Sequence, residues 1–261
     1  MVECNEIRKR ILDLAYSVKS NGSHLGGSLS TVEILSSLYN YAKINPFDEN
    51  RDRIILSKGH AALALYVVLE KNNLLTSEEV DTFEHNGTCF FAHAKRNVEK
   101  GIEFSGGSLS LGLSYAVGVA LACKSKGLSN RIYVILGDGE CNEGLVWEAV
   151  MSASNYKLNN LTIIVDKNGL QSDGLTSEVL EANSLFDKFN SFGCHTLIVD
   201  GHNYDELIMS YNSISENKPS VIIAETVKGK GISFMEGQQQ WHHGVLSDVL
   251  YKQAKIELGY E

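Results

Sequence analysis

A chain of 261 residues, 43% hydrophobic and 21% charged, is long enough for one large α/β domain with a substantial core. Its formal net charge of −9 argues against a nucleic-acid partner, because phosphate backbones are gripped by clustered Lys and Arg. Five cysteines without close pair spacing point to reduced thiols in the cytoplasm, and the polar opening Met1-Val-Glu-Cys-Asn-Glu6 is no signal peptide.

In chain order, Ile7, Ile11, Leu14 and Val18 form a helical stripe over about 5–20. Ser30 and Thr31 stand where they would cap a helix running to Tyr41. Ile54-Ile-Leu56 reads as a first strand, Ala61–Lys71 as a buried helix, and Ser77 as the start of a short one. The segment Leu109–Cys123 is apolar on every face and rich in small residues. It is too short to span a bilayer and suits packing in a core or against a second subunit. There follow a strand at 131–136, a helix at 143–156, strands at 161–165 and 195–199, a helix at 204–215 and a strand at 220–227. Strands alternating with helices predict an α/β fold, a parallel sheet with helices on both faces. No repeat or linker divides residues 1–261, which read as a single domain.

Gly137-Asp138-Gly139 follows the strand at 131–136, and Asn168 comes 30 residues after Asp138, beyond the strand at 161–165. Gly-Asp-Gly alone is most often a turn. A carboxylate and an amide oxygen delivered to the carboxyl edge of one sheet have the chemistry of a Mg²⁺–diphosphate site.

Gly137-Asp-Gly-Glu-Cys-Asn-Glu-Gly-Leu-Val-Trp-Glu-Ala-Val150, Asn155-Tyr-Lys-Leu158 and Asp166-Lys-Asn-Gly-Leu-Gln-Ser-Asp-Gly174 resemble the thiamine-diphosphate motif of transketolases. Ser23-His-Leu-Gly-Gly-Ser-Leu-Ser30, Arg51-Asp-Arg-Ile-Ile-Leu-Ser-Lys-Gly-His60, Gly107-Ser-Leu109, Asp200-Gly-His202 and Thr226-Val-Lys-Gly-Lys-Gly231 extend the likeness along most of the chain. A single-chain transketolase is well over twice as long and also carries a pyrimidine-binding and a C-terminal domain. The chain is therefore similar to the N-terminal subunit of a split transketolase.

The resemblance implies a thiamine-diphosphate-binding fold. It implies Mg²⁺ on Asp138, Asn168 and the carbonyl of Leu170, with Gly139 and Glu140 against the cofactor. Gly107, Ser108 and Leu109 match a Gly-Pro-Leu element that touches the cofactor, and His60 matches a histidine on its diphosphate. His24 matches a substrate-contacting histidine, and His93, 14 residues before Gly107, a third one. Glu143 matches a glutamate linking two active sites, although a helix-start acid would look the same. In Trp241-His242-His243-Gly244 either His243 or His242 is expected to serve, since Gln240 stands where full-length enzymes have their histidine. His85, His195 and His202 read as structural, and Cys141 as filler.

The implied partner is a separately encoded pyrimidine-binding and C-terminal subunit, in an α₂β₂ assembly acting on sugars or sugar phosphates. Two departures bear on substrate: Leu25 replaces a proline, and Ala94-Lys95-Arg96 follows His93, placing two cations near the expected channel. A decarboxylating 2-oxo acid dehydrogenase subunit, a deoxyxylulose-phosphate synthase and a non-catalytic cofactor-binding protein are the rival readings.

Overall fold

The computed structural model describes residues 2–180 and 184–259. The first helices are α1 (Val2–Ser17), α2 (Leu25–Ser30) and α3 (Val32–Tyr41), followed by β1 (Arg53–Leu56). Next come α4 (Ala62–Lys71), α5 (Ser77–Val80) and α6 (Leu111–Ser125), then β2 (Ile132–Gly137), α7 (Gly144–Asn155) and β3 (Leu161–Lys167). The chain goes on through α8 (Thr176–Val179), α9 (Leu185–Ser191), β4 (His195–Asp200), α10 (Tyr204–Asn212), β5 (Ser220–Glu225) and α11 (Asp248–Glu257).

All five strands pair in parallel, in the order β1-β2-β3-β5-β4. Alternation along β2 divides the core in two. Tyr133 and Ile135 face a cluster built with α1 to α4 and α10, while Ile132, Val134 and Leu136 face one built with α6, α7 and α9. Both faces are covered, which is why the central strands read as unbroken apolar runs. Among the described residues no helix is long and apolar enough to cross a membrane.

Several expectations needed correction. The short helix α2 escaped notice because Gly26 and Gly27 are poor helix formers. Thr31 sits at the start of α3, but its hydroxyl donates to Gly27 O at 2.6 Å and makes no cap. The short helix α5 does start at Ser77 as expected, capped by Thr76 in a capping box with Glu79. α6 starts two residues late, after Ser110 turns into the left-handed region at φ 71°. β5 ends at Glu225, so residues 226–231 leave the sheet as a strap across its carboxyl edge.

Candidate active site

Parallel strands discharge their following loops on one edge, and here four of those loops close around a single cavity. β1 delivers Lys58 and His60, β2 delivers Asp138 to Glu143, β3 delivers Asn168 to Asp173, and the strap after β5 delivers Lys228. The cavity holds about 500 Å³, and His24, His93, Gly107, Leu109 and His242 complete its wall. A hollow of about 700 Å³ at the amino edge, lined by Tyr41, Arg131 and Asn160, gathers none of these groups.

Its floor is ionic. Lys58, 1% exposed, ion-pairs with Asp166, 0% exposed, and also donates to Gly27 O at 3.0 Å and Thr31 Oγ1 at 2.9 Å. Asp166 accepts further bonds from the hydroxyls of Ser30, Thr31 and Thr226. Burial alone would raise the Asp166 pKa, but the Lys58 cation and these donors hold it below its usual value.

The hard oxygens stand above this floor. Asp138 Oδ1 accepts from Gly139 N at 3.0 Å, and Oδ2 from Gly169 N at 2.8 Å and Thr176 Oγ1 at 3.2 Å. Burial, followed by the nearby Asp166 charge, pushes its pKa up, an environment a cation would relieve. Asn168 Oδ1 accepts from Leu170 N at 3.1 Å, and Asn168 Nδ2 lies 3.4 Å from Asp166 Oδ2. Leu170 O faces Lys228 Nζ at 3.1 Å, so that carbonyl already favours positive charge. Gln171 Nε2 is buried without a partner among the described residues. Among those residues no group of three His, Cys, Asp or Glu could cage a metal unaided. One carboxylate, one amide and one carbonyl are a donor set for a cation that keeps phosphate oxygens and water among its ligands.

Glu140 lines the cavity, and its carboxylate is engaged by the surrounding loops. Its carboxylate accepts from Ser57 Oγ, from Ser110 N at 2.7 Å and from Gly137 N at 3.1 Å. It thereby ties the β1 and β2 loops to the start of α6. Backbone contact holds the neighbouring rim: a Cβ on Gly59 would lie 2.8 Å from Gly107 N and 2.9 Å from Gly106 Cα. That approach places Gly107, Ser108 and Leu109, all exposed, at the mouth. Glu143 is also exposed there, at the N-cap of α7, with no capping bond from its side chain.

The imidazoles form the other wall. The His24 ring centroid lies 5.8 Å from that of His60, 5.3 Å from His93, 5.6 Å from His242 and 4.7 Å from His243. His242 lines the cavity, with Nδ1 3.1 Å from Lys228 Nζ, whereas His243 is exposed outside the lining. The cavity thus takes His242 where His243 headed the expectation. Lys95 and Arg96 are exposed and stand outside the lining too. Lys58, Lys228 and Gln171 were not singled out in the sequence, although each lies inside a matched motif. The available signal was a lysine followed by glycine just after a strand, in Lys58-Gly59 and Lys228-Gly229.

Burial and the surrounding positive groups depress these histidines, His24 to about 3, His242 to about 4 and His60 well below its usual value. All three are neutral at pH 7. Burial, then Lys58, also lowers Lys228 to about 8. Below about pH 6.5 the unfolded chain takes up protons on these three histidines that the folded chain refuses. Stability is therefore expected to fall as pH drops from 6.5 towards 4, read as the urea midpoint. A His24→Asn/His242→Asn variant is expected to give a flatter profile.

A parallel sheet with hard oxygens, two buried lysines and neutral imidazoles at its carboxyl edge defines an enzyme domain that binds an organic diphosphate. Residues 3–261 match the family described as "Transketolase, thiamine diphosphate binding domain", and the chain belongs to it. It is 39% identical to an apulose-4-phosphate transketolase subunit of Phocaeicola vulgatus, covering 96% of this chain and 90% of that protein. It is 41% identical to the 6-deoxy-6-sulfo-D-fructose transketolase subunit SqwG of a Clostridium species, covering 99% and 96%. The crystal structure of transketolase from Campylobacter jejuni superposes with a TM-score of 0.90 at 29% identity, over all of this chain and 43% of that one. The chain thus has nearly the length of separately encoded subunits and about two fifths of the single-chain enzyme. It is a transketolase-type transferase subunit, as its motifs implied.

Proposed function

We propose that the chain is the diphosphate-binding half of a two-chain transketolase that moves a two-carbon ketol unit between sugars bearing anionic groups. The observation that carries this reading is the juxtaposition of Asp138, Asn168 and Leu170 O with Lys58, Lys228 and His60 in one cavity. The donors suit Mg²⁺: one carboxylate and two neutral oxygens, of which the Leu170 carbonyl already faces a cation. The cofactor, when bound, supplies the carbon that accepts and releases the ketol unit.

This chain's own residues supply the rest. Lys228 offsets the charge of the diphosphate, while Lys58 is paired with Asp166 beneath it, and Gly139, with no Cβ to strike Gln171, lets the β2 loop lie close. Neutral His60 and His242 bring no further charge, and His242, whose Nδ1 accepts from Lys228 Nζ at 3.1 Å, keeps its other nitrogen to donate one hydrogen bond. His24 lines the cavity as a neutral imidazole with His93 beside it, which supports its contact with the sugar. Glu143 is exposed at the mouth, which supports a role for it in meeting a second protomer.

The pyrimidine-binding and C-terminal parts would come from a separately encoded subunit. We assign the assembly as α₂β₂, working in the cytoplasm. The anionic character of the sugar is supported by the relatives, named for a phosphate and for a sulfo sugar. The test is ketol transfer from phosphorylated and sulfonated ketoses by the chain, by its partner and by their mixture. Turnover confined to the mixture is expected. Release of CO₂ from a 2-oxo acid by the mixture would instead establish the decarboxylating rival.

A further inference from the structure

Lys228 is carried by a strap, residues 226–231, that belongs to neither a helix nor a strand, yet the lysine is 2% exposed and must be aimed to within a hydrogen bond. Two clamps hold the strap from behind. Before Lys228, the Val227 N–H donates to His202 Nε2 at 2.8 Å. After it, Lys230 O accepts from Arg8 Nε at 3.0 Å. Both clamps lead to one carboxylate. Glu33, 7% exposed, accepts from Arg8 Nη2 at 2.7 and 2.8 Å and pairs with His202 Nδ1 at 2.9 Å.

The chemistry fixes the tautomer. A backbone N–H only donates, so His202 Nε2 is bare and Nδ1 carries the proton that goes to Glu33. An imidazole held in this way is a spacer with one acceptor end and one donor end. It converts the position of α3, where Glu33 is seated in the core, into the position of the Thr226–Val227 peptide. His202 itself is fixed by the turn after β4, its N–H donating to Asp200 Oδ1 at 2.8 Å.

We infer that His202 is a positioning residue: anchored by Glu33, it holds the strap so that Lys228 meets the diphosphate. The inference rests on the cofactor reading given above. His202 does not line the cavity and acts only through Lys228.

Two substitutions separate its two ends. His202→Gln keeps an acceptor close to the Nε2 position facing Val227. His202→Asn keeps a donor close to the Nδ1 position facing Glu33 and loses the strap bond. Binding of thiamine diphosphate with Mg²⁺ to the assembled enzyme is expected to weaken about tenfold in His202→Asn, the size of one lost hydrogen bond, and to stay near wild type in His202→Gln. In a Lys228→Met background, His202→Asn is expected to cost nothing further, because the group it positions is gone. In the chain without cofactor, amide exchange across 226–231 is expected to quicken in His202→Asn and not in His202→Gln.

Unchanged protection of 226–231 in His202→Asn, or losses that add fully to that of Lys228→Met, would overturn the inference. Failure of the wild-type assembly to bind thiamine diphosphate would count against the cofactor reading, while the exchange measurement judges the clamp by itself.

Discussion

Replacing Asp138 by Asn is expected to leave the fold nearly untouched and to weaken retention of thiamine diphosphate in Mg²⁺ by roughly 100-fold, with ketol transfer by the assembled enzyme lost accordingly. The amide keeps the size of the side chain and an oxygen for the Gly169 N–H, the bond that orders the loop after β3, and gives up only the acceptor for the adjacent Gly139 N–H. That loop has further closures of its own, Gln171 N to Gly174 O at 2.8 Å and Thr176 N to Gly169 O at 2.9 Å. What disappears is charge. Asp138 is the only carboxylate in the donor set of Asp138, Asn168 and Leu170, and burial makes that charge count for more. Asp138→Ala would add the cost of leaving Gly169 N–H unpaired, so its urea midpoint should fall while that of Asp138→Asn holds. Binding is read calorimetrically. Unchanged affinity in Asp138→Asn would remove this residue from the cation site.

The largest loss of stability is expected from Lys58→Met. Lys58 and Asp166 are both sealed in the protein, so removing the ammonium leaves a buried carboxylate with only hydroxyls and the Asn168 amide, no cation, as partners. Such an orphaned charge costs about 3–5 kcal/mol, a large part of the stability of an ordinary domain. Adding Asp166→Asn removes the stranded charge, keeps an acceptor for Ser30 or Thr226, and should recover part of the loss. Urea unfolding of the two variants against wild type decides the matter. A Lys58→Met variant within about 1 kcal/mol of wild type, on the scale of a surface substitution, would mean that Asp166 is neutral in the fold.

The parts of this site readable in the sequence were those where backbone and chemistry coincide. The runs 131–136 and 161–165 are apolar because both sheet faces are covered, and Asp138 and Asn168 follow them at once. Strand position therefore fixed which edge those side chains reach. What stayed hidden depends on contacts between distant segments. Nothing local to Glu140 says that its carboxylate is consumed by Ser57 and Ser110. Nothing local to His202 says that it meets Val227 and Glu33, and as Asp200-Gly-His it looks like an ordinary turn. Which of the adjacent His242 and His243 lines the cavity depends on the path of the chain there, which neighbouring residues in sequence cannot report. The helix α2 was lost to its glycines, yet those glycines bring His60 and Lys228 close. A Cβ on Gly27 would lie 3.0 Å from the His60 ring, and one on Gly26 2.8 Å from Lys228 Cγ.

The central claim is that this chain holds one half of a cofactor site that a second chain completes. The most direct measurement is a calorimetric titration of thiamine diphosphate in Mg²⁺, first into the chain alone, then into an equimolar mixture with the pyrimidine-binding subunit. Ketol transfer is assayed on both. The account predicts that tight binding and turnover appear together, in the mixture only, and that both vanish when Mg²⁺ is chelated. Tight binding by the chain alone with no turnover in any mixture would contradict it, leaving a cofactor-binding protein that does not catalyse.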